Sequence, residues 1–161
     1  MLANFSCSKD ADIQSFIRLK AIDFHNRGWS SVYILLDEDK LAQGKAFVEA
    51  YFTLSHKVIA LSDSVSKSKR KVVFGGIKND EPHSHFVLIG QLGKHMSDDD
   101  ASTITATEIL DAAFSVIHRA KDLIPFACVL VECREELVPI YETYGFSVLQ
   151  DDEYIQMIKK I

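Results

Sequence analysis

The chain contains 161 residues, of which 47% are hydrophobic and 25% are charged, and its formal net charge at pH 7 is −5. These values are typical of a globular protein with one core, so we expect a single domain over residues 1–161. The negative charge argues against general affinity for nucleic acids, and no apolar run approaches the ~20 residues that cross a bilayer.

The N-terminus and the cysteines bear on the cellular setting. Residues 1–20 lack a basic region followed by an apolar core, so they do not resemble a secretory signal, and we expect a cytoplasmic protein. The three cysteines, Cys7, Cys128 and Cys133, lack metal-ligand spacing, and two of them lie in an apolar run. We therefore interpret them as buried structural thiols rather than as catalytic or redox groups.

The first part of the chain predicts helices and strands in alternation. Strands are indicated by apolar and β-branched residues, and a helix by apolar residues at helical spacing after a capping side chain. The predicted elements are a short strand at Phe5–Cys7, a helix capped by Ser8 or Asp10 and ended by Gly28, a strand at Ser31–Asp37, a turn at Asp37–Lys40 and a strand at Phe47–Leu54. Lys57–Leu61 either extends the sheet or leaves it.

A basic segment, Lys67–Lys71, contrasts with the acidic balance of the whole chain. Ser62 or Asp63 is placed to cap a short helix here, which Gly75 and Gly76 would end. Two interpretations stay open. The segment is either a solvated helix face or a patch that contacts anions or RNA.

The second part of the chain carries the strongest patterns. The predicted elements are a strand at His85–Lys94, a long amphipathic helix at Thr105–Asp122, a strand at Phe126–Val131, a helix at Glu136–Tyr144 and a final hairpin of residues 146–149 and 154–158. Thr105 and Glu108 form a capping box that begins the long helix, and Gly145 ends the shorter one. This order of elements predicts an α/β (α+β) domain with a mixed sheet.

The strand, polar loop and long helix, followed by the segment Ile140–Phe146, resemble the GCN5-related N-acetyltransferase (GNAT) superfamily. The resemblance covers nearly the whole chain and is most specific from Phe86 to Phe146. It implies the acyl-CoA N-acyltransferase fold, a central mixed, mostly antiparallel sheet flanked by helices. It also implies an enzyme that transfers an acetyl group from acetyl-CoA to a primary amine by direct attack in a ternary complex, without a metal.

The resemblance implies a cofactor site at the end of the strand and in the loop after it. Backbone groups of Leu92, Gly93 and Lys94 would hold the pantetheine arm and the acetyl group. The loop that normally wraps the pyrophosphate falls on residues 102–106, where small residues occupy the usual glycine positions and two threonines add hydroxyl donors: Ser102, Ala106, Thr103 and Thr105. Since phosphate binding needs free N–H groups rather than glycine as such, we expect the loop to bind acetyl-CoA.

Two features close to this loop bear on the same expectation. Asp98–Asp100 would oppose phosphate binding if the carboxylates faced the loop, and would matter little if they pointed to solvent. Arg134 lies where many members of the superfamily carry an asparagine near the pantetheine arm. It is therefore a further candidate for binding coenzyme A.

The resemblance also implies catalytic groups. Tyr141 matches the general acid of the superfamily, which returns a proton to the coenzyme A thiolate; the alternative is a core tyrosine with a hydrogen-bonded hydroxyl group. Glu132 is the first candidate for deprotonating the amine, and His83 and His85 are others. Their alternatives are a salt bridge for Glu132 and unspecialised loop positions for the histidines.

Three functions follow from these observations. The first is acetylation of a small-molecule or peptide amine. A more specific version is a toxin that acetylates aminoacyl-tRNA and pairs with an antitoxin, because Tyr51–Ser55 followed by a basic helix is similar to that subgroup. The alternative from another class is a catalytically inactive GNAT-fold binding or regulatory protein, in which a homodimer is one possible form.

Overall fold

The structure is a computed structural model of the chain, and it describes residues 1–97 and 102–161. The strands are β1 (Ser31–Leu36), β2 (Val48–Ala60), β3 (His83–Lys94), β4 (Cys128–Cys133), β5 (Ser147–Asp151) and β6 (Ile155–Lys160). The helices are α1 (Ala11–Ser15), α2 (Ala21–Asn26), α3 (Glu38–Ala42), α4 (Lys67–Val73), α5 (Ala106–Lys121) and α6 (Val138–Thr143). A π-helical turn at Phe16–Lys20 joins α1 to α2, and 3₁₀ turns lie at Leu2–Asn4 and Glu135–Leu137.

Within the described residues, the strands form a six-stranded sheet in the order β1-β2-β3-β4-β6-β5. The pairs β1–β2, β4–β6 and β5–β6 are antiparallel, and β3–β4 is parallel, with Val87 opposite Val129. The prediction of a mixed, mostly antiparallel sheet in an α/β domain is therefore confirmed.

The chain divides into two compact units. The first contains Met1–Ser55 and Gly90–Ala113, and the second contains His56–Ile89 and Phe114–Ile161. Strands β2 and β3 and helix α5 contribute residues to both units. The single domain over residues 1–161 stays a prediction.

Each unit has an apolar cluster of its own. In the first unit, Phe5, Ile17, Ala21, Val48 and Tyr51 are buried together. In the second, the buried cluster comes from strands β2 to β6 and from α4 and the turn before it, and consists of Ile59, Leu61, Val65, Val73, Phe86, Cys128, Leu130, Leu149 and Ile158. All three cysteines are free and buried, as the sequence predicted. Burial raises the pKa of the Cys128 thiol to about 11, so this thiol is an inert packing group.

Three local predictions are corrected. Instead of a strand at Phe5–Cys7, the structure has one parallel bridge between Cys7 and Met96. The predicted turn at Asp37–Lys40 begins α3, because the Asp37 carboxylate accepts a hydrogen bond from the Lys40 N–H at 2.8 Å. Ser66 caps α4, whereas the Ser62 hydroxyl accepts from the Ser64 N–H in a turn of its own.

Gly93 on β3 is a glycine whose missing side chain is required by close packing. A Cβ at this position would lie 2.5 Å from Ile13 Cγ2 and 2.6 Å from Tyr51 Cε1. Tyr51 has little room to move, because it is fully buried and donates a hydrogen bond to the Ile13 carbonyl oxygen at 2.7 Å.

We therefore expect Gly93→Ala to lower the free energy of unfolding by about 1–3 kcal/mol through overpacking, measured by urea denaturation. Lys94→Ala on the same strand is the matched control and should change it by less than about 0.5 kcal/mol. A Gly93→Ala protein as stable as the parent would show that this packing is wrong.

Candidate active site

The loop before α5 is anchored to the first unit by Ser102. Its side chain is buried, and its hydroxyl group donates to Glu49 Oε1 at 3.1 Å and accepts from the Ile104 N–H at 3.2 Å. Its own N–H donates to the carbonyl oxygen of the buried His95 at 3.2 Å. Ser102 therefore fixes the course of the loop, and its hydroxyl is already used within the protein.

A capping box begins α5, as the sequence predicted. The Glu108 carboxylate accepts hydrogen bonds from the N–H and the hydroxyl of Thr105, both at 2.7 Å, and the Thr105 hydroxyl accepts from the Glu108 N–H at 3.2 Å. These hydrogen bonds from Thr105 lower the pKa of Glu108. An ionised carboxylate therefore occupies one of the N–H groups that an anion at this helix end would use.

Other N–H groups at the start of α5 remain open. In the described residues, none of the N–H groups of Thr103, Ala106 and Thr107 has a hydrogen-bond partner. Orphan N–H groups and the helix dipole together make an anion site at the start of a 16-residue helix. The arrangement fits a pyrophosphate group, and among residues 1–97 and 102–161 the carboxylate in hydrogen-bond contact with this end of the helix is that of Glu108. Asp98–Asp100 lie outside the described residues.

The end of β3 precedes this loop in the same unit. Leu92 and Lys94 are half-buried, and Gly93 is buried against Tyr51. The Gln91 N–H donates to the Thr53 hydroxyl at 2.8 Å, so this backbone N–H of β3 already has a hydrogen-bond partner within the protein. The structure thus supplies a packing reason for Gly93, and the roles of Leu92, Gly93 and Lys94 in cofactor binding stay predictions.

Tyr141 lies on α6 in the second unit. Its ring packs edge-on against Phe146, with 5.6 Å between the ring centres, and Gly145 beside it adopts a φ of 91° that ends the helix. Burial and then the nearby Cys133 thiol raise the pKa of Tyr141 to about 12. The half-buried phenol therefore keeps its proton at neutral pH.

The Tyr141 hydroxyl forms no hydrogen bond within residues 1–97 and 102–161, so the alternative of a core tyrosine with a bonded hydroxyl lacks its partner. Tyr144 differs from it. The Tyr144 ring packs on Phe114 and under the Lys159 ammonium group, which lies 4.1 Å from the ring centre. Within the described residues, Tyr141 therefore has a hydroxyl that can donate to a ligand.

Glu132 on β4 belongs to a hydrogen-bonded network in the second unit. Its two carboxylate oxygens accept from Lys57 Nζ at 2.5 Å and from Gln156 Nε2 at 2.8 Å. Gln156 in turn accepts from Gln150 Nε2 at 2.8 Å. The salt bridge that the sequence left open is present, and both oxygens have partners. The role of Glu132 as the general base stays a prediction. A water bound at the remaining lone pairs of its carboxylate would have to carry the proton of the amine.

The other predicted site residues, Arg134, His83 and His85, are exposed at the surface. Arg134 is exposed and lines a cavity of about 530 Å³ together with the carboxylates of Glu135, Glu136, Asp151 and Glu153. The negative charge of these four carboxylates does not favour a bound phosphate. The role of Arg134 as a cofactor ligand therefore stays a prediction. His83 and His85 are exposed at the start of β3. In the part of the chain that the structure describes, no three potential metal ligands come together.

The predicted residues thus fall into two sets. Within the first unit, the end of β3 and the start of α5 carry the cofactor candidates, and within the second unit β4 and α6 carry Glu132, Arg134 and Tyr141. Sequence reasoning missed Glu49, Lys57 and Gln156. Gln156 faces Glu132 across the β4–β6 pair, a register that periodicity does not reveal.

Comparisons with known proteins found no matching family model and no matching curated protein. Solved structures do match. AtaT complexed with acetyl-methionyl-tRNAfMet superposes with a TM-score of 0.78 at 19% identity, covering 99% of this chain and 87% of that one. AtaTR bound with AcCoA gives 0.74 at 19% identity, covering 99% and 86%. A tyrosine-to-phenylalanine variant of KacT gives 0.74 at 18% identity, covering 99% and 87%.

The chain has the GNAT fold. AtaT and KacT are GNAT-fold toxins, and the coverage of this chain is almost complete, so the fold implied by the resemblance is confirmed. Among the described residues, no helix of this chain is long enough and apolar enough to cross a membrane.

Proposed function

We propose that this chain is an acetyl-CoA-dependent N-acetyltransferase of the toxin type, which acetylates the amino group of an aminoacyl-tRNA. The observation that carries the proposal is the likeness, over 99% of the chain, to AtaT in complex with acetyl-methionyl-tRNAfMet. AtaT has also been solved bound to acetyl-CoA and to the C-terminus of its antitoxin AtaR. We accordingly propose an antitoxin as the protein partner of this chain, and prefer aminoacyl-tRNA to a small amine as the acceptor.

Acetyl-CoA supplies the acetyl group as a thioester. The open N–H groups of Thr103, Ala106 and Thr107 would bind its pyrophosphate, and backbone groups of Leu92 to Lys94 would orient the pantetheine arm. N–H groups at this strand end would also polarise the acetyl carbonyl. The Ser102–Glu49 hydrogen bond keeps the loop in place for this contact.

In the proposed transfer, the acceptor nitrogen forms a bond to the acetyl carbon and the carbon–sulfur bond breaks. The amine loses its proton to solvent through a water held by Glu132, the departing thiolate takes a proton from the Tyr141 hydroxyl, and the Tyr141 phenolate regains a proton from solvent. Tyr141 suits the second role because its phenol is protonated at neutral pH and has no partner in the described chain. Lys57 and Gln156 would hold the Glu132 carboxylate in a fixed orientation.

An inactive binding protein is the second candidate, and the Glu108 capping box favours it. An ionised carboxylate on the Thr105 N–H competes with an anionic cofactor. The carboxylate is fully exposed, however, and can turn to solvent at the cost of about one capping interaction.

We expect induced expression of the chain in a bacterial host to arrest growth, and the Tyr141→Phe chain to allow it, because acetylated aminoacyl-tRNA is withdrawn from translation. Colony counts after induction measure this, with equal protein levels confirmed by immunoblot. Normal growth with the parent chain at full expression would contradict the toxin activity.

A further inference from the structure

We infer that the face of α4 and the loop after it form a binding site for the phosphate backbone of RNA. The site is a cavity of about 440 Å³ in the second unit, and the charged residues of the described chain that line it are the cations Lys67, Arg70, Lys71 and Lys78 and the carboxylate Asp80. The inference rests on the proposed function for the identity of the RNA, which is the tRNA part of the acceptor.

The charge of this segment opposes that of the chain. The chain carries a net charge of −5, whereas residues 67–78 contain Lys67, Lys69, Arg70, Lys71 and Lys78 and no carboxylate. Positions 67, 70 and 71 are three and four residues apart, so they share one face of α4, and Lys69 lies off that face. The cavity lining agrees, since it includes these three residues and omits Lys69.

Arg70 has a structural part in this site. Its guanidinium group donates hydrogen bonds to the carbonyl oxygens of Leu61 at 3.2 Å, Ser62 at 3.0 Å and Glu81 at 3.3 Å. These bonds tie α4 to the end of β2 and to the loop before β3. Arg70 is therefore a positioning residue that fixes α4 against the segments beside the cavity.

The three lysines are the groups left for a ligand. Lys67, Lys71 and Lys78 are exposed, and none of them forms an ion pair with another residue in the described ranges. Flexible ammonium groups without an internal partner are suited to phosphates, and contacts to phosphates position a nucleic acid without reading its sequence.

The lining also indicates which part of the RNA is bound. Among the described residues, the lining contains no aromatic side chain on which a base could stack. The site therefore offers cations for the phosphate backbone and no surface for stacking of unpaired bases. It would hold the body of the tRNA and leave the aminoacyl end free for the transfer.

The test is binding of bulk deacylated tRNA to the full chain at several salt concentrations, measured by fluorescence anisotropy. Lys67→Gln combined with Lys71→Gln should weaken binding about ten-fold or more at ~0.1 M salt, and should reduce the slope of log K against log salt by about 1–2. The matched control, Lys69→Gln combined with Lys160→Gln, removes two charges outside the cavity and should leave both values nearly unchanged. Acetyl-CoA affinity and thermal unfolding should be the same in both variants.

The outcomes separate this inference from the proposed function. If the parent binds tRNA and both double variants lose the same affinity, only net charge matters and the site is overturned, while the proposed acetyl transfer stands. If the cavity variant alone loses tRNA binding but the parent transfers no acetyl group to aminoacyl-tRNA, the site stands and the proposed transfer falls. A parent chain that binds no tRNA overturns both.

Discussion

Replacing Tyr141 with phenylalanine is expected to lower kcat for acetyl transfer by about 10²–10⁴-fold, the usual contribution of a general acid. The ring would still pack against Phe146, so the affinity for acetyl-CoA should stay within about two-fold and the fold should be unchanged. Steady-state kinetics with calorimetry for cofactor binding measure both quantities.

Tyr144→Phe is the control for this substitution, because the Tyr144 ring packs on Phe114 and Lys159 and has no assigned catalytic part. It should keep near-parental kcat. Because the pKa of Tyr141 is raised to about 12, the phenol stays protonated below that pH, and its ionisation should cause no fall in rate up to about pH 10. Equal kcat values for the parent and Tyr141→Phe would remove Tyr141 from the mechanism.

Charge at the start of α5 is expected to control cofactor affinity in both directions. Glu108→Gln removes the opposing charge while keeping an oxygen for the capping box, and should tighten acetyl-CoA binding by about two- to five-fold. Ala106→Glu places a carboxylate beside the open N–H groups and should weaken binding by at least about 30-fold, since like charges in contact cost several kcal/mol. Calorimetric titration with acetyl-CoA measures both.

Ser115→Glu is the matched control, because it adds the same charge to an exposed position of α5 far from its first turn. Its affinity for acetyl-CoA should equal that of the parent. If Ala106→Glu and Ser115→Glu behave alike, the start of α5 is not the place where the pyrophosphate binds.

Local signals were enough to predict much of this fold. Thr105 and Glu108 are three residues apart and form the capping box, and Gly145 ends α6 with a positive φ as its position indicated. Such features depend on neighbours within one turn of helix, so the sequence shows them directly. The order of helices and strands was predictable for the same reason.

Features that depend on distant parts of the chain were not predictable. Glu132 meets Lys57 and Gln156 only through strand register, and Ser102 is held by Glu49, which is 53 residues away. Gly93 looked like a cofactor position, yet the nearest reason for its missing side chain is the packing of Tyr51. Sequence spacing gives no distances between such residues, so their partners become visible only in three dimensions.

The most direct test of the account is to incubate the purified chain with acetyl-CoA and aminoacyl-tRNA and to determine the mass of the amino acid released from the RNA. The account predicts an added acetyl group on the amino acid with the parent chain, and a large loss of this product with Tyr141→Phe. Unmodified amino acid after incubation with parent protein that binds both acetyl-CoA and tRNA would contradict it.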